Sequence, residues 1–179
     1  MLDYRLGQFG SPRPKPNHCS QRKKEVVMAV SFEFADDVRV LRMTLDGELT
    51  DAILLDIWQQ AISVATALPP CKSIVDLSGI TEVKVSTDTL TRVARTPVRP
   101  HQQTQVFVAP RELLYGMSRM FQILSEQTRH DLQIVHTIDE AYKLLGIEPP
   151  KFLPVSIPDR KPGLPTELPA PNSQSRKMG

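Results

Sequence analysis

The sequence predicts an α/β domain with a mostly parallel sheet of five strands, four helices and a first strand antiparallel to the second. Short apolar runs typical of buried strands alternate along the chain with longer segments of helical periodicity. Strands joined through a helix pair in parallel by right-handed crossovers. Only a tight turn separates the first two strands, which makes that pair antiparallel.

The first two strands and the first helix are predicted between residues 29 and 70. Phe32 and Phe34 alternate with polar residues, as in a half-buried edge strand. Residues 38–45 are apolar on both faces and predict a central strand that ends at Asp46-Gly47. Thr50 is suited to cap a helix that two prolines stop. The predicted inward stripe of this helix is Leu54, Trp58, Ile62 and Ala65, widened by Ile57, Ala61 and Val64.

The next strand and helix flank a segment that the sequence predicts to be a loop. Residues 73–77, SIVDL, predict a short buried strand. After the loop, Ser86 or Thr87 can cap a short helix that ends before Pro97. The inward residues of this helix are predicted to be Leu90, Val93 and Ala94. Residues 104–109 predict the following strand.

The last two helices surround the last strand, which is predicted at residues 132–136. Pro110 suits the first position of the third helix. The predicted core side of that helix is Leu113, Met117, Met120, Phe121 and Leu124. Thr137-x-x-Glu140 is a capping box for the fourth helix, and Gly146 is a natural C-terminal stop.

The two ends of the chain differ in composition from the middle. Residues 1–28 contain three prolines and the run Arg22-Lys23-Lys24, and we expect a disordered basic extension, with Met28 as a candidate for the biological start. Residues 149–179 contain eight of the sixteen prolines and are predicted to be a disordered tail. The folded domain is therefore predicted to span residues 29–148.

Charge and cysteine content bound the possible functions. The net charge is +2, but residues 29–147 hold eleven Lys and Arg against fifteen Asp and Glu, which disfavours a nucleic-acid partner. The two cysteines form no metal-binding pair and fit a reducing compartment. No apolar run is long enough for stable membrane insertion, and the N-terminal stretch lacks the apolar core of a secretory signal. We expect a cytoplasmic protein.

Motifs for chemistry are absent from the sequence. No glycine-rich phosphate loop follows a strand, and no nucleophile has a visible base. Asp76, near the end of a strand, is interpreted as an acceptor for backbone N–H groups of the loop that follows it, which Ser78 and Gly79 help to organise. An enzyme that uses Asp76 is the weaker interpretation. The sequence therefore predicts a protein that is not an enzyme and holds no cofactor or metal.

Three stretches resemble a known family. They are VDLSGI at 75–80, VFVAPRELLYGMSRMFQIL at 106–124 and IDEAYKLLG at 138–146. Together they make residues 30–147 similar to the STAS domains, and more narrowly to the SpoIIAA-like branch of stand-alone bacterial proteins. The resemblance implies a β-α superhelix. In signalling members it also implies an Asp-Ser pair at the start of a helix, where an anti-sigma kinase phosphorylates the serine.

This chain departs from the family at that pair. Lys84 occupies the position of the aspartate, Val85 that of the phosphorylated serine, and Ser86 stands one position late. The resemblance therefore implies a regulatory module that binds an unidentified protein partner without the usual phosphoserine switch. The predicted partner-binding residues are Lys84, Ser86, Thr87, Arg92, Arg95 and Arg99.

Two alternatives remain open. The likeness of this branch to CRAL-TRIO lipid carriers implies a small apolar ligand or lipid, and the candidate contacts are Tyr115, Met117, Met120 and Phe121. The weaker alternative is an anti-sigma factor antagonist that is switched at Ser86.

Overall fold

The computed structural model describes residues 28–96, 104–129 and 131–155. The strands are β1 (Ala29–Ala35), β2 (Val40–Thr50), β3 (Lys72–Lys84), β4 (Gln105–Val108), β5 (Leu132–Val135) and β6 (Leu153–Pro154). The helices are α1 (Asp51–Ala67), α2 (Thr87–Arg95), α3 (Glu112–Leu124) and α4 (Ile138–Leu145). Arg99 and most of the two predicted disordered ends lie outside the described residues.

The strands form one sheet in the order β5-β4-β3-β2-β1-β6. Strands β2 to β5 pair in parallel, while β1 is antiparallel to β2. The α/β class, the mostly parallel sheet, the four helices and the antiparallel first strand are therefore confirmed.

The sixth strand was not predicted. Leu153 pairs with Phe34 of β1, and the backbone N–H of Val155 donates to the carbonyl of Phe32 (2.8 Å). The guanidinium of Arg42 lies 4.2 Å from the ring centre of Phe152. The sheet thus extends past the domain boundary predicted at residue 148.

Two strands are longer than the sequence suggested. β2 does not end at Asp46-Gly47 but continues to Thr50, and β3 continues from Leu77 to Lys84 through the segment predicted as a loop. Register shifts occur beside Asp46 and Gly47, and Gly47 has a φ of 113°. β-bulges and turns both favour Asp-Gly and positive φ, so the sequence at this point did not distinguish a bulge within the strand from a turn that ends it.

Helices cover both faces of the sheet. α4 packs against β3, β4 and β5 through a cluster that contains Ile74, Val106 and Tyr142. α1, α2 and α3 cover the opposite face, where Val75 and Phe107 point because side chains alternate along a strand. The described residues therefore form three layers, with three helices on one side of the sheet and one on the other.

The predicted helix caps are largely correct. Thr50, Ser86 and Thr137 each accept a backbone N–H at the start of a helix, Glu140 completes the capping box, and Gly146 ends α4 at a φ of 67°. The predicted start of α3 is wrong, because Arg111 is the N-cap and Pro110 is therefore not the first helical residue.

The predicted core side of α3 is also partly wrong. Leu113 is 67% exposed and Met120 37% exposed, whereas Leu114 and Ser118 are buried. The buried stripe of α3 runs through Leu114, Ser118 and Phe121. The prediction missed it because position 118 holds a small polar residue instead of an apolar one.

The close approach of β3 to β2 requires glycine at position 79. A Cβ atom there would lie 2.8 Å from the carbonyl oxygen of Leu45, which belongs to backbone that cannot move aside easily. At Gly116, in the middle of α3, a Cβ would meet nothing within 4 Å.

We expect Gly79→Ala to lower the free energy of unfolding by about 1–3 kcal/mol, because the methyl group forces the two strands apart. Gly116→Ala is the matched control and should raise it by about 0.5–1 kcal/mol through helix propensity. Urea denaturation of both variants measures the two effects. Equal stability of the two variants would contradict the contact.

Candidate functional site

The N-terminus of α2 is where the family comparison placed a switch. Ser86 caps the helix: its Oγ accepts the backbone N–H of Thr89 (3.2 Å) and its hydroxyl donates to Oγ1 of the same residue (3.1 Å). Thr87 is the first helical residue and is exposed. Val85 is partly buried against the core, as its apolar side chain favours.

A carboxylate from another helix already occupies the anion-favouring end of α2. The backbone N–H of Ser86 donates to Oδ1 of Asp51 (2.7 Å), the first residue of α1. This bond, with further help from the Ser86 hydroxyl, holds the pKa of Asp51 below its usual value. A phosphate on Ser86 would be placed next to this negative charge, which disfavours it.

Lys84 does not present a free charge. Its Nζ lies 2.9 Å from Glu48 and 3.1 Å from Glu82, and the hydrogen bond to Glu48 is the main reason why the pKa of Lys84 is raised. Such exposed pairs contribute about 1 kcal/mol or less. Arg92 and Arg95 lie in the last turn of α2, and Arg99 is outside the described residues. The predicted partner-binding residues therefore carry less unpaired positive charge than the sequence suggested.

Asp76 lies in a strand and not before a loop, but it makes a hydrogen bond of the kind expected from the sequence. Its Oδ1 accepts the backbone N–H of Ser78 (2.9 Å), and the residue is half-buried within β3. The described residues contain no cluster of His, Cys, Asp and Glu arranged to hold a metal ion.

An apolar cavity of about 110 Å³ lies between the sheet and the layer of α1, α2 and α3. Leu45, Val75 and Phe107 line it from the strands, and Trp58, Leu90 and Phe121 line it from the helices. The inward face of α1 has alanine at positions 61 and 65, both in the lining, and these short side chains leave the space unfilled.

Two of the four residues predicted for an apolar ligand line this cavity. Met117 and Phe121 do so, and Phe121 stacks on Phe107 with ring centres 5.6 Å apart. Tyr115 instead stacks on His136 at 4.3 Å, and Met120 points to solvent. Helical spacing therefore predicted only part of the side of α3 that faces the cavity.

The cavity wall also carries polar atoms without hydrogen-bond partners. They are Nε1 of Trp58, Oε1 of Gln105 and Oγ of Ser118, each buried. Leaving a buried donor or acceptor unpaired costs about 1–3 kcal/mol. The three atoms belong to α1, β4 and α3, and each is closed off from the cavity space by the side chains around it.

Arg129 packs against two side chains of the cavity lining but is not itself a lining residue. Its guanidinium is 4.7 Å from the ring centre of Trp58 and 4.9 Å from that of Phe121, and its Nη1 donates to the carbonyl of Ala94 (2.9 Å). Its Nε and Nη2 are buried without a partner. Burial lowers the pKa of Arg129 to about 10, because desolvation penalises the charged form.

Sequence reasoning did not identify the residues that form most of this site. The sequence prediction assigned Trp58, Ala61 and Ala65 to the core stripe of α1. A large aromatic residue followed by two alanines on the same side of a helix could have indicated unfilled space there. Arg129 follows a helix in a polar stretch, and nothing in its local sequence indicates burial.

Comparisons with known proteins give a likeness to a solved structure but no match in sequence. No model of a protein family matches the chain, and no curated protein matches its sequence. Among solved structures, the chain is similar to an uncharacterised protein from the DUF3478 family, with a SpoIIAA-like fold, from Shewanella loihica PV-4. The two are 15% identical, the likeness covers 66% of this chain and 93% of that one, and the TM-score is 0.45. Within the part of the chain that the structure describes, no helix is long and apolar enough to cross a membrane.

We expect Ser86 to remain unmodified by protein kinases, because its hydroxyl is held in the helix cap and Asp51 repels a phosphate. Incubation of the purified protein with ATP and lysate kinases, followed by phosphopeptide mass spectrometry, should detect no phosphate between residues 84 and 87. Asp51→Asn is the informative control, since it removes the repelling charge and leaves the cap in place. Stoichiometric phosphate on wild-type Ser86 would restore the anti-sigma antagonist hypothesis.

Proposed function

We propose that the protein is a non-enzymatic module that binds a small apolar ligand in the cavity between its sheet and α1, α2 and α3. The observation that carries this proposal is the cavity itself, an apolar space of about 110 Å³ that residues of the sheet and of all three helices line. Regulation would then follow from occupancy of this space and not from phosphorylation of α2.

The size of the cavity supports occupancy by an organic group. A single water needs roughly 10–15 Å³, and an apolar cavity of about 150 Å³ takes up benzene, so a space of about 110 Å³ suits an apolar group no larger than benzene. An empty space of 110 Å³ costs on the order of 3 kcal/mol at about 24 cal/mol per Å³. A ligand that fills it recovers part of this free energy.

Ala61 offers a way to fill the cavity without a ligand. We expect Ala61→Leu to weaken the binding of benzene, used as a neutral apolar probe, by roughly tenfold or more. The free energy of unfolding should stay within about 1.5 kcal/mol of wild type, because the added carbons enter existing space. Calorimetric titration with benzene and urea denaturation measure the two quantities.

Ala67→Leu is the matched control, because Ala67 is exposed on the same helix and does not line the cavity. It should bind benzene as wild type does. Wild-type protein that takes up no benzene, and shows no co-purified ligand by native mass spectrometry, would refute the proposed function.

A second candidate is a protein-interaction module, and a feature of α3 favours it. Leu113 and Ile123 are each 67% exposed and Met120 is 37% exposed, and their spacing places the three on one side of the helix. Large apolar side chains grouped on a surface are typical of a protein contact. The cationic residues of α2 remain a predicted partner surface beside it.

If wild type retains a protein from a cell lysate through α3, we expect the double variant with Leu113→Gln and Ile123→Gln to lose that protein. Unfolding free energy should change by about 0.5 kcal/mol or less, since both side chains are exposed. Leu144→Gln, a comparably exposed change on α4, is the control and should retain the same proteins. Identical capture by the double variant would exclude α3 as the contact.

A further inference from the structure

The outward side of α3 carries a row of four residues without a charge or a polar side chain. Leu113 and Ile123 are each 67% exposed, Met120 is 37% exposed, and the exposed Gly116 lies among them. At about 3.6 residues per turn, this row lies on the side of the helix opposite its buried residues. α3 is therefore apolar on two opposite sides, one packed on the sheet and the other exposed to solvent.

The glycine of this row has no structural reason within a single copy of the chain. A Cβ atom at position 116 would meet nothing within 4 Å, and Gly116 does not have the positive φ of Gly47 and Gly146. Glycine in the middle of a helix is unfavourable compared with alanine, and its common use is to let another group approach the backbone closely. Position 116 is therefore suited to receive a side chain from outside the domain.

The row is complementary to itself when its direction is reversed. Its four positions are separated by three, four and three residues, so the spacing is the same from either end. In an antiparallel pair of α3 helices related by a two-fold axis, Met120 of each copy lies over Gly116 of the other. The same pairing brings Leu113 against Ile123 at both ends of the row. A two-fold dimer requires this pattern, because each contact must occur twice with the two residues exchanged.

The charges on and beside the row fit the same arrangement. In an antiparallel pair, the positive end of each helix dipole lies next to the negative end of the other. Glu112 and Arg119 follow one edge of the row. With a rise of about 1.5 Å per residue, Arg119 of one copy lies about 8 Å along the axis from Glu112 of the other, a distance that two long side chains can span.

We infer that the outer side of α3 binds a second copy of this chain as an antiparallel, two-fold symmetric helix pair in which Met120 packs on Gly116. This inference rests on the second candidate function, because it names the partner of the same surface. One helix of 13 residues from each copy gives a contact about 20 Å long. Such a contact is at the small end of the range of interface sizes, so we expect a weak dimer with a Kd on the order of 100 μM.

Sedimentation equilibrium of the full chain between about 10 μM and about 1 mM tests the inference. Wild type should pass from monomer to dimer over this range. A wild-type chain that is still monomeric at the highest concentration would overturn the inference. Loss of lysate capture in the variant with Leu113→Gln and Ile123→Gln would in that case still show that α3 binds another protein, whereas unchanged capture would refute the second candidate function as well.

Gly116→Met fills the space that Met120 of the second copy occupies. It should weaken dimerisation by roughly tenfold or more, although it adds an exposed apolar side chain. The melting temperature should rise, because methionine is a better helix former and its Cβ meets nothing. A non-specific apolar surface predicts the opposite, tighter association, and that result would overturn the inference. Gln59→Met adds the same side chain to an exposed position of α1 and should leave the Kd within about twofold of wild type.

The double variant with Gly116→Met and Met120→Gly exchanges the two residues and tests the register of the pair. Each methionine again lies over a glycine of the second copy, so dimerisation should return to within about threefold of wild type. One helical glycine is removed and one is added, so the melting temperature should be close to that of wild type. A double variant that dimerises no better than Gly116→Met would overturn the inference.

Discussion

The long parallel pairing of β2 with β3 determines where every other part of the candidate site lies. The register runs from Val40 opposite Lys72 to Thr50 opposite Lys84, well beyond the four-residue ladder that β3 shares with β4. Because β2 leads directly into α1 and β3 leads into α2, the ends of this pair fix the starts of both helices. The bond from Ser86 to Asp51 joins those two starts. The glycine at 79 allows the strands to come close enough for this arrangement.

The cavity follows from this geometry together with the choice of side chains. Helices placed by the strand ends are held at a set distance from the sheet, and the volume between them must be filled by the residues that face inward. α1 supplies Trp58 but also Ala61 and Ala65, and α3 supplies Ser118 where a larger apolar residue would pack. Interiors are normally close-packed, so a space bounded by three small residues is a property of this sequence and not of the fold.

Much of the fold was predictable because local signals and tertiary structure agree. Helix caps depend on a few adjacent residues, and Thr50, Ser86, Thr137 and Gly146 carry those signals in the sequence itself. The length of β3 was not predictable in this way. Ser78 and Gly79 favour a turn locally, and only the neighbouring strand, which supplies backbone partners on one side, makes them part of a strand. The candidate site was predictable only in part for the same reason. Met117 and Phe121 followed from helical spacing, but burial of Arg129 depends on Trp58 from a distant helix and leaves no trace in its own segment.

The short strand β6 has a consequence for the behaviour of the protein at high concentration. It covers part of the edge of β1, whose exposed backbone groups would otherwise be available to another chain. Phe34 and Glu33 lie at the covered positions, and Arg42 holds the same segment through its contact with Phe152. A chain cut at residue 148 would keep the whole of α4 and the cavity yet leave this edge open. Such a fragment would be folded and prone to edge-to-edge aggregation. The residues just after the last helix therefore protect the protein from aggregating through β1.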